Sequence, residues 1–292
     1  MLRYTGSASN EYYLAEPRDS AAVSLESDVH QLEYHRDLPS SNNLGWTTKP
    51  PEARSALATK LGTFVQLSAD EIDALEALSR HPKQYRSDQI LVHEGASVDH
   101  VCLIVQGLAC RYKLLVDGRR QITGYLIPGD ICDINFVMFN TPDHSVALLG
   151  DSQVVKIPIH KIKELITRSP TIARALSLAG LVDCAILREW LLNIGQRDAM
   201  QKLSHLFCEM SVRMKAIGRI HVDGSFELPT NQVTLADTTG LTPVHINRTL
   251  QRLRTAGLIR LCQRRLTIID PERLALIAGF NGNYLRIGHP QH

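Results

Sequence analysis

The chain has 292 residues, which is enough for about two domains of roughly 150 residues each. Hydrophobic residues make up 44% and charged residues 21%, a composition that is typical of globular proteins and excludes collagen-like and wholly disordered chains. The net charge is only +2, but residues 201–292 carry 12 Lys and Arg against 6 Asp and Glu, and this basic C-terminal third indicates a polyanionic partner.

Residues 1–59 are predicted to form a mostly disordered arm, because they hold Ser, Asn, Pro and acidic residues without sustained periodicity. Regular structure is expected to begin near Phe64. Ser68 suits the N-cap of a helix, with Glu71 three residues later as in a capping box, and this helix is expected to end before Pro82.

Residues 60–169 are predicted to form a small all-β domain. Short apolar runs alternate here with turn sequences, and Asp117-Gly118 between two runs is a strong hairpin signal. The expected strands are Ile90–Val92, Val101–Val105, Ala109–Leu115, Ile122–Ile127 and Val154–Ile157. Their spacing is typical of a sandwich or barrel, and a jelly roll is the arrangement that we expect.

Residues 170–195 are predicted to form one long helix that is apolar on more than one face, so it must be buried on more than one side. One face can pack on the β domain, and a second copy of the helix is the simplest partner for another face. A single large intramolecular core is the alternative. The residues assigned to the dimer helix are Ile172, Leu176, Ala179, Val182, Ile186 and Trp190. A second apolar set consists of Leu178, Leu181, Leu187, Leu191 and Leu192.

Residues 196–285 are predicted to form a winged helix-turn-helix domain that begins with a further amphipathic helix, from about Arg197 to Lys215. Ala236 lets two helices approach closely, and Gly240, four residues later, takes a left-handed turn without steric cost. Thr242 can cap the second helix, whose first position suits Pro243. This spacing is that of a helix-turn-helix. The residues of the second helix expected to face the core are Ile246, Leu250 and Leu253.

The outward face of the second helix carries the residue types that read bases in the major groove, since Arg binds guanine and Asn binds adenine. Two strand-like runs, 257–260 and 265–268, predict a wing whose arginines would contact phosphates. The predicted DNA contacts are Thr242, Val244, His245, Asn247, Arg248, Gln251, Arg252, Arg264 and Arg265. A solvated charged face is the alternative for each arginine alone, but the combination favours DNA binding.

The segment LADTTGLTPVHINRTLQRLRTAGLI resembles the signature of the Crp/Fnr family of bacterial transcription regulators, and the resemblance covers about residues 60–280. The segments PGDICD, DHS and LREWLLNIGQRDA are similar to those of an alphaproteobacterial subgroup of the family. The resemblance implies an α+β chain with a cyclic-nucleotide-binding-like β-roll, or jelly-roll, sensor domain, a dimerisation helix and a winged helix-turn-helix. It also implies a cytoplasmic homodimer on palindromic promoter DNA, with RNA polymerase as a partner if the chain is an activator.

The resemblance also shows where this sequence departs from the family. Much of the family carries Glu, then Ser or Gly, then Arg on the recognition helix, and the matching positions here are Val244, Asn247 and Arg248. Only the Arg is retained, so the family's half-site is not carried over unchanged.

The candidate effector pocket also differs from that of cyclic-nucleotide-binding members. Asp130 stands where those members have Glu, and His144 where they have Arg, with no Arg or Lys between Gln121 and Val155. A bound phosphate would therefore meet carboxylates and no permanent cation, and we expect no tight cAMP binding. The pocket residues are Gly129, Asp130, Asp133, His144 and Ser145. The alternative is a regulator whose β-roll must bind a small, nucleotide-like ligand before the protein binds DNA.

The six cysteines lack metal-site and disulfide spacings, so reduced thiols are expected. Cys184 in the predicted dimer helix and Cys262 in the predicted wing are candidate redox residues, with idle thiols as the alternative. Residues 1–101 contain no cysteine, which speaks against the iron–sulfur cluster of the oxygen-sensing members. The histidines of the sensor domain are read as structural or surface residues rather than haem ligands. No cofactor and no metal are predicted.

The sequence contains no HExxH, P-loop, GxSxG or GxGxxG pattern, so no enzyme activity is predicted. No run of about 18 consecutive apolar residues occurs, and the N-terminus does not read as a signal peptide. A cytoplasmic protein without a membrane partner is therefore expected.

Overall fold

A computed structural model describes residues 54–139 and 141–287 of the chain. The predicted arm therefore lies outside the described residues up to residue 53. The last part of the predicted arm is helical, since it contains the start of α1 (Ala56–Leu61). This helix buries Leu57, Ala58 and Leu61 in the core, so regular structure begins before Phe64. The helix predicted after it is α2 (Ala69–Leu78), which opens with the expected capping box of Ser68 and Glu71.

The β domain consists of antiparallel strands in two sheets. One sheet has the order β1-β7-β3 and the other the order β2-β6-β4-β5. The strands are β1 (Lys83–Tyr85), β2 (Ile90–Val92), β3 (His100–Gln106), β4 (Ala109–Leu114), β5 (Arg120–Leu126), β6 (Ser145–Leu148) and β7 (Ser152–Pro158). The expected strands are present, and β1 and β6 are additional. A short 3-10 helix, Ile134–Val137, lies in the long connection between β5 and β6.

The strand β1 could not be recognised from its pattern, because its three residues, Lys83 to Tyr85, are polar or aromatic and none is fully buried. The strand β6 is short and fully buried, and a run of only four residues carries little period-two signal. Tertiary pairing with β7 and with β4 establishes these strands.

The helix α3 (Ile159–Arg168) leads into α4 (Pro170–Gln196), the long helix that the sequence predicts. Ser169 caps α4 by accepting a hydrogen bond from the Ile172 N–H at 3.1 Å, and Pro170 occupies the first turn, where no backbone donor is needed. The helix runs along the β domain and reaches the C-terminal domain.

The residues that α4 buries within the chain differ from the assignment made from sequence. Ile172, Leu176, Val182, Ile186 and Trp190 are buried in the chain's own core, so these residues cannot form the surface that meets a second copy. Ala179 is half-buried. Other apolar residues of α4 are exposed; they are Leu181, Leu187, Leu191, Leu192 and Ile194. Periodicity identified two apolar faces, but it did not say which of them the β domain covers.

By length and composition alone, α4 is apolar enough to cross a membrane. Its Asp183 is paired with Arg111 of β4 at 2.8 Å, and its Trp190 stacks edge-on against Tyr125 of β5. These contacts tie one face of α4 to the folded β domain, so the helix is part of the core.

The C-terminal domain combines helices with a small antiparallel sheet of order β8-β10-β9. Its elements are α5 (Ala199–Ala216), β8 (Ser225–Glu227), α6 (Gln232–Thr239), α7 (Pro243–Thr255), β9 (Ile259–Cys262), β10 (Arg265–Ile268), α8 (Pro271–Ala278) and a final 3-10 helix, Gly282–Leu285. The predicted helix-turn-helix corresponds to α6 and α7, and the predicted wing to the hairpin of β9 and β10.

A buried network of charged residues joins the two domains. Arg213 of α5 pairs with Glu209 at 3.2 Å and with Asp130 of the β domain at 3.1 Å. Glu209 also accepts hydrogen bonds from Trp190 Nε1 and from the Tyr284 hydroxyl, at 3.1 and 2.8 Å. Burial raises the pKa of Glu209, so its ionised form depends on these donors. The network fixes α5 against α4 and the β domain.

Candidate nucleic-acid interface

The turn between α6 and α7 has the geometry that its sequence predicts. Gly240 adopts the left-handed conformation, with φ 68° and ψ 22°, and its N–H closes α6 on the Ala236 carbonyl at 2.9 Å. Thr242 accepts a hydrogen bond from the N–H of His245 at 3.3 Å, and Pro243 starts α7. The turn therefore sets the angle at which α7 leaves α6.

One face of α7 is fixed in the domain core and the other is free. Ile246, Leu250 and Leu253 are buried, as predicted. All the predicted DNA-contacting residues of this segment are exposed; they are Thr242, Val244, His245, Asn247, Arg248, Gln251 and Arg252. A rigid helix thus presents a polar, basic face to solvent.

The wing ends in a tight turn at Gln263 and Arg264. Both residues have positive φ, 49° and 61°, as in the two-residue hairpin turns that match the twist of the flanking strands. The Arg264 carbonyl accepts the Leu228 N–H at 2.8 Å, so the turn is anchored to the segment after β8. Arg264 and Arg265 are both exposed at this tip.

The arginines of this surface have no carboxylate partners among the described residues. None of them lies within 4.0 Å of a carboxylate oxygen of residues 54–139 or 141–287; they are Arg248, Arg252, Arg254, Arg260, Arg264 and Arg265. Their guanidinium groups remain available to an external anion. Arginine binds phosphates and guanine edges in a two-pronged geometry, so the surface suits a nucleic acid.

The β domain holds the helix-turn-helix in place, which sequence reasoning missed. Arg120 of β5 pairs with Asp237 of α6 at 2.8 Å, and the Gln121 amide donates to the Asp237 carbonyl at 2.8 Å. The Tyr125 and Thr238 hydroxyls lie 2.6 Å apart. These partners are more than 110 residues apart in sequence, so no local signal could have paired them.

The residues of the candidate effector pocket do not form one site. Asp130 is buried and bound to Arg213 and Lys60, and it accepts the N–H of Ile127 at 2.9 Å. Gly129 has φ 91°, and a Cβ atom there would overlap the backbone of Ala56. Gly129 and Asp130 therefore belong to the contact with α1 and α5, which corrects their assignment to a ligand pocket.

The other three pocket residues lie together. His144 Nδ1 is 2.7 Å from Asp143 Oδ1 and 3.9 Å from Asp133 Oδ2, and Ser145 Oγ accepts the Glu94 N–H at 3.0 Å. Burial raises the pKa of Asp133. Among the described residues, Asp133, Asp143 and His144 form the group whose potential metal-ligand atoms lie within 4.8 Å of one another, although Asp143 is exposed.

The sequence predicts that the connection between β5 and β6 offers no cation to a bound phosphate, and this prediction is wrong in one respect. Arg111 and Lys113, both on β4, reach it from outside the segment: Arg111 donates to the Cys132 carbonyl at 2.7 Å, and Lys113 donates to the Asp143 carbonyl. Each of these cations already has a carboxylate partner, Asp183 for Arg111 and Glu94 for Lys113.

Comparison with known proteins decides the family. A model of the Crp-like helix-turn-helix domain matches residues 201–277, and a model of the cyclic nucleotide-binding domain matches residues 82–169. The chain is a Crp/Fnr-type transcription regulator.

Similar proteins of the Crp/Fnr family are regulators of transcription. The transcriptional activator protein FnrL of Cereibacter sphaeroides is 27% identical over 72% of this chain and 85% of its own length. The nitrogen fixation regulation protein FixK of Bradyrhizobium diazoefficiens is 25% identical over 73% of this chain and 87% of its own length. The structure of FixK2 from Bradyrhizobium japonicum has a TM-score of 0.60 at 24% identity, covering 68% of this chain and 96% of that one, and shows the same fold.

Proposed function

We propose that this Crp/Fnr-type regulator acts in the cytoplasm as a homodimer that reads a palindromic promoter site, without enzyme activity of its own. The observation that carries the proposal is the exposed face of α7, where Asn247 and Arg248 lie beside arginines that have no partner among the described carboxylates. Phosphate contacts from the wing would position the domain, and contacts from α7 would read base edges.

The exposed apolar face of α4 supports the dimer. Leu181, Cys184, Leu187, Leu191 and Ile194 follow one another at intervals of three or four residues, and all are exposed in the single chain. This spacing is that of a helix seam that packs against another helix. A second copy of α4 would cover the stripe, and the two-fold axis would place the α7 helices in major grooves about 34 Å apart.

The side chains on α7 indicate what each half-site contains. Arg248 suits guanine, Asn247 suits adenine, and the methyl groups of Val244 suit a thymine methyl. Relatives of this chain are named transcriptional activators, which supports activation with RNA polymerase as a second partner.

Selection of bound sequences from random DNA, with purified full-length protein and no added ligand, tests the proposal. We expect a palindrome whose half-sites are centred one helical turn apart. Recovery of a single, non-repeated half-site would contradict the dimer. If selection succeeds only after a cyclic nucleotide is added, the ligand-dependent alternative replaces the ligand-free reading.

For the β domain we propose that cAMP is not a tight ligand. Arg111 and Lys113, which lie near the exposed part of the segment, are each paired with a carboxylate, and Asp133 and Asp143 add negative charge. A cyclic phosphate would have to displace one of these ion pairs. Calorimetry should show no binding at low-micromolar cAMP, and saturation in that range would contradict the proposal.

A further inference from the structure

We propose that Cys102 and Cys132 form a redox-active pair that closes to an intrachain disulfide and makes the β domain responsive to oxidants. Both thiols lie in the β domain and away from the exposed Cys184 and Cys262, which the sequence had singled out. The chemistry stands on the geometry of the pair, whereas its regulatory consequence rests on the proposed function.

The backbone places the two cysteines opposite each other. Leu103 of β3 forms an antiparallel bridge with Ile131, and the Cys132 N–H donates to the Cys102 carbonyl at 2.8 Å. Residues directly opposite in such a pair point to the same face, with Cβ atoms roughly 4.5–5.5 Å apart. Both cysteines are fully buried, so their side chains lie on the same face inside the β domain. A disulfide needs only a small further approach.

A histidine and a carboxylate activate one member of the pair. His100 precedes Cys102 by two residues on β3, so its ring lies on the same side of the strand, and His100 Nδ1 is 2.6 Å from Asp99 Oδ1. The neighbouring Cys132, followed by His100, lowers the pKa of Cys102 although the thiol is buried. The arrangement is that of a cysteine nucleophile with a base that is oriented by a third group. Cys102 is therefore the attacking thiol and Cys132 the resolving thiol.

The chemistry balances with a peroxide as oxidant. The Cys102 thiolate attacks one peroxide oxygen, an S–O bond forms, the O–O bond breaks, and the departing hydroxide takes a proton to become water. The Cys132 thiol then attacks the Cys102 sulfur, an S–S bond forms and the S–O bond breaks, and the hydroxyl leaves with the Cys132 proton as a second water. Two thiols lose two electrons, and one hydrogen peroxide becomes two waters.

The pair is connected to the helix that carries the proposed dimer seam. The Cys132 carbonyl accepts a hydrogen bond from Arg111 Nε at 2.7 Å, and Arg111 Nη2 pairs with Asp183 of α4 at 2.8 Å. Drawing Cys132 towards β3 would move this carbonyl and therefore the arginine that binds α4. Oxidation would in this way bias the position of α4 and, through it, the spacing of the two α7 helices.

Peptide mapping of the full-length protein tests the disulfide directly, without DNA. Reduced protein is treated with hydrogen peroxide, its free thiols are blocked with N-ethylmaleimide in denaturant, and it is digested with trypsin without reduction. Cleavage after Arg86, Arg111, Arg120 and Lys156 yields peptide 87–111, with Cys102 and Cys110, and peptide 121–156, with Cys132. We expect these two peptides to be linked through Cys102.

The chain offers matched controls. Cys110 is equally buried, and burial raises its pKa to about 12, so Cys110→Ser should keep the link and leave one cysteine in peptide 87–111. Cys132→Ser should abolish the link, and His100→Gln should slow the loss of the Cys102 thiol about tenfold, because the thiolate is less favoured. Wild-type mapping alone decides whether the link forms, so the test does not depend on whether these variants fold.

Two results overturn the chemical proposal. One is that Cys102 and Cys132 stay fully reactive towards the blocking reagent after the exposed Cys184 and Cys262 are oxidised; the other is a link through Cys110. The regulatory consequence is measured separately, as the affinity of oxidised and reduced Cys184→Ser/Cys262→Ser protein for the selected palindrome. We expect at least a roughly fivefold difference. Equal affinities with the link present overturn the regulatory role, whereas failure to select any DNA contradicts the proposed function and leaves the thiol chemistry standing.

Discussion

Arg248 lies on the exposed face of α7, one residue after Asn247, while the neighbouring Ile246 and Thr249 are buried. We expect Arg248→Ala to cost about 1–3 kcal/mol in binding to the selected site and to relax the preference at one base pair. A quantitative binding assay on the full set of single-base variants of the site measures both effects.

Arg264 and Arg80 provide the controls for this prediction. Arg264 lies at the wing tip, so Arg264→Ala should weaken binding to every sequence alike and reduce the salt slope by about 1. Arg80 is exposed in the connection between α2 and β1, and Arg80→Ala should leave binding unchanged. If Arg248→Ala behaved like Arg264→Ala, the proposed register of α7 on the bases would be wrong.

His205 of α5 couples stability to pH. It is almost fully buried, its ring stacks on Tyr284, and its Nε2 lies 3.4 Å from Glu189 Oε2. Burial, and then the charge of Arg197, lowers the pKa of His205 to about 4. Between the ordinary pKa of 6.5 and pH 4 the unfolded chain therefore binds a proton that the folded chain does not.

The free energy of unfolding should fall as the pH drops from 6.5 to 4, by about 3 kcal/mol from this residue. Denaturant titrations at several pH values measure this loss. His205→Gln removes the titrating group, so its loss over the same window should be smaller than that of the wild type. Parallel pH curves for the two proteins would show that His205 does not carry this dependence.

At the scale of elements, α6 is held by β5 as well as by α7. The Arg120–Asp237 pair is less than one third exposed on both sides, and the Arg120 guanidinium also lies 5.4 Å from the centre of the Tyr112 ring. The contact connects the β domain directly to the helix-turn-helix. It is therefore expected to position α7 and to contribute to affinity although it touches no DNA.

A double-mutant cycle of Arg120→Ala and Asp237→Ala tests this contact. We expect the two changes to be non-additive in DNA-binding free energy, with a coupling of roughly 0.5–3 kcal/mol. Arg119→Ala is the matched control, because the exposed Arg119 pairs with its neighbour Asp117 and not with α6. Additive effects of Arg120→Ala and Asp237→Ala would mean that the ion pair does not transmit the position of the β domain.

The same elements show how far the sequence predicts the fold. The helix-turn-helix was predictable because its determinants, Ala236, Gly240 and Pro243, lie within eight residues of one another in the sequence. The buried face of α4 was not, because periodicity does not say which apolar stripe a distant sheet covers. The Arg213–Asp130 pair spans 83 residues, and such pairings depend on tertiary packing rather than on local pattern.

At the scale of the whole molecule, the proposed function requires two copies of the chain. Leu191 is 72% exposed within the proposed seam of α4. Leu191→Glu should shift the protein from dimer to monomer in sedimentation experiments, because a charge would be buried in an apolar contact. Leu276→Glu on α8 is the control, since Leu276 is 82% exposed outside the seam. Monomers from both variants, or dimers from both, would place the interface elsewhere.

In the proposed dimer, two α7 helices related by a two-fold axis read one palindrome. The decisive measurement is the affinity for the selected site with five base pairs inserted between its half-sites, because half a turn of DNA puts the half-sites on opposite faces of the duplex. We expect the affinity to fall to that of a single half-site. An affinity equal to that of the original site would contradict the two-fold arrangement.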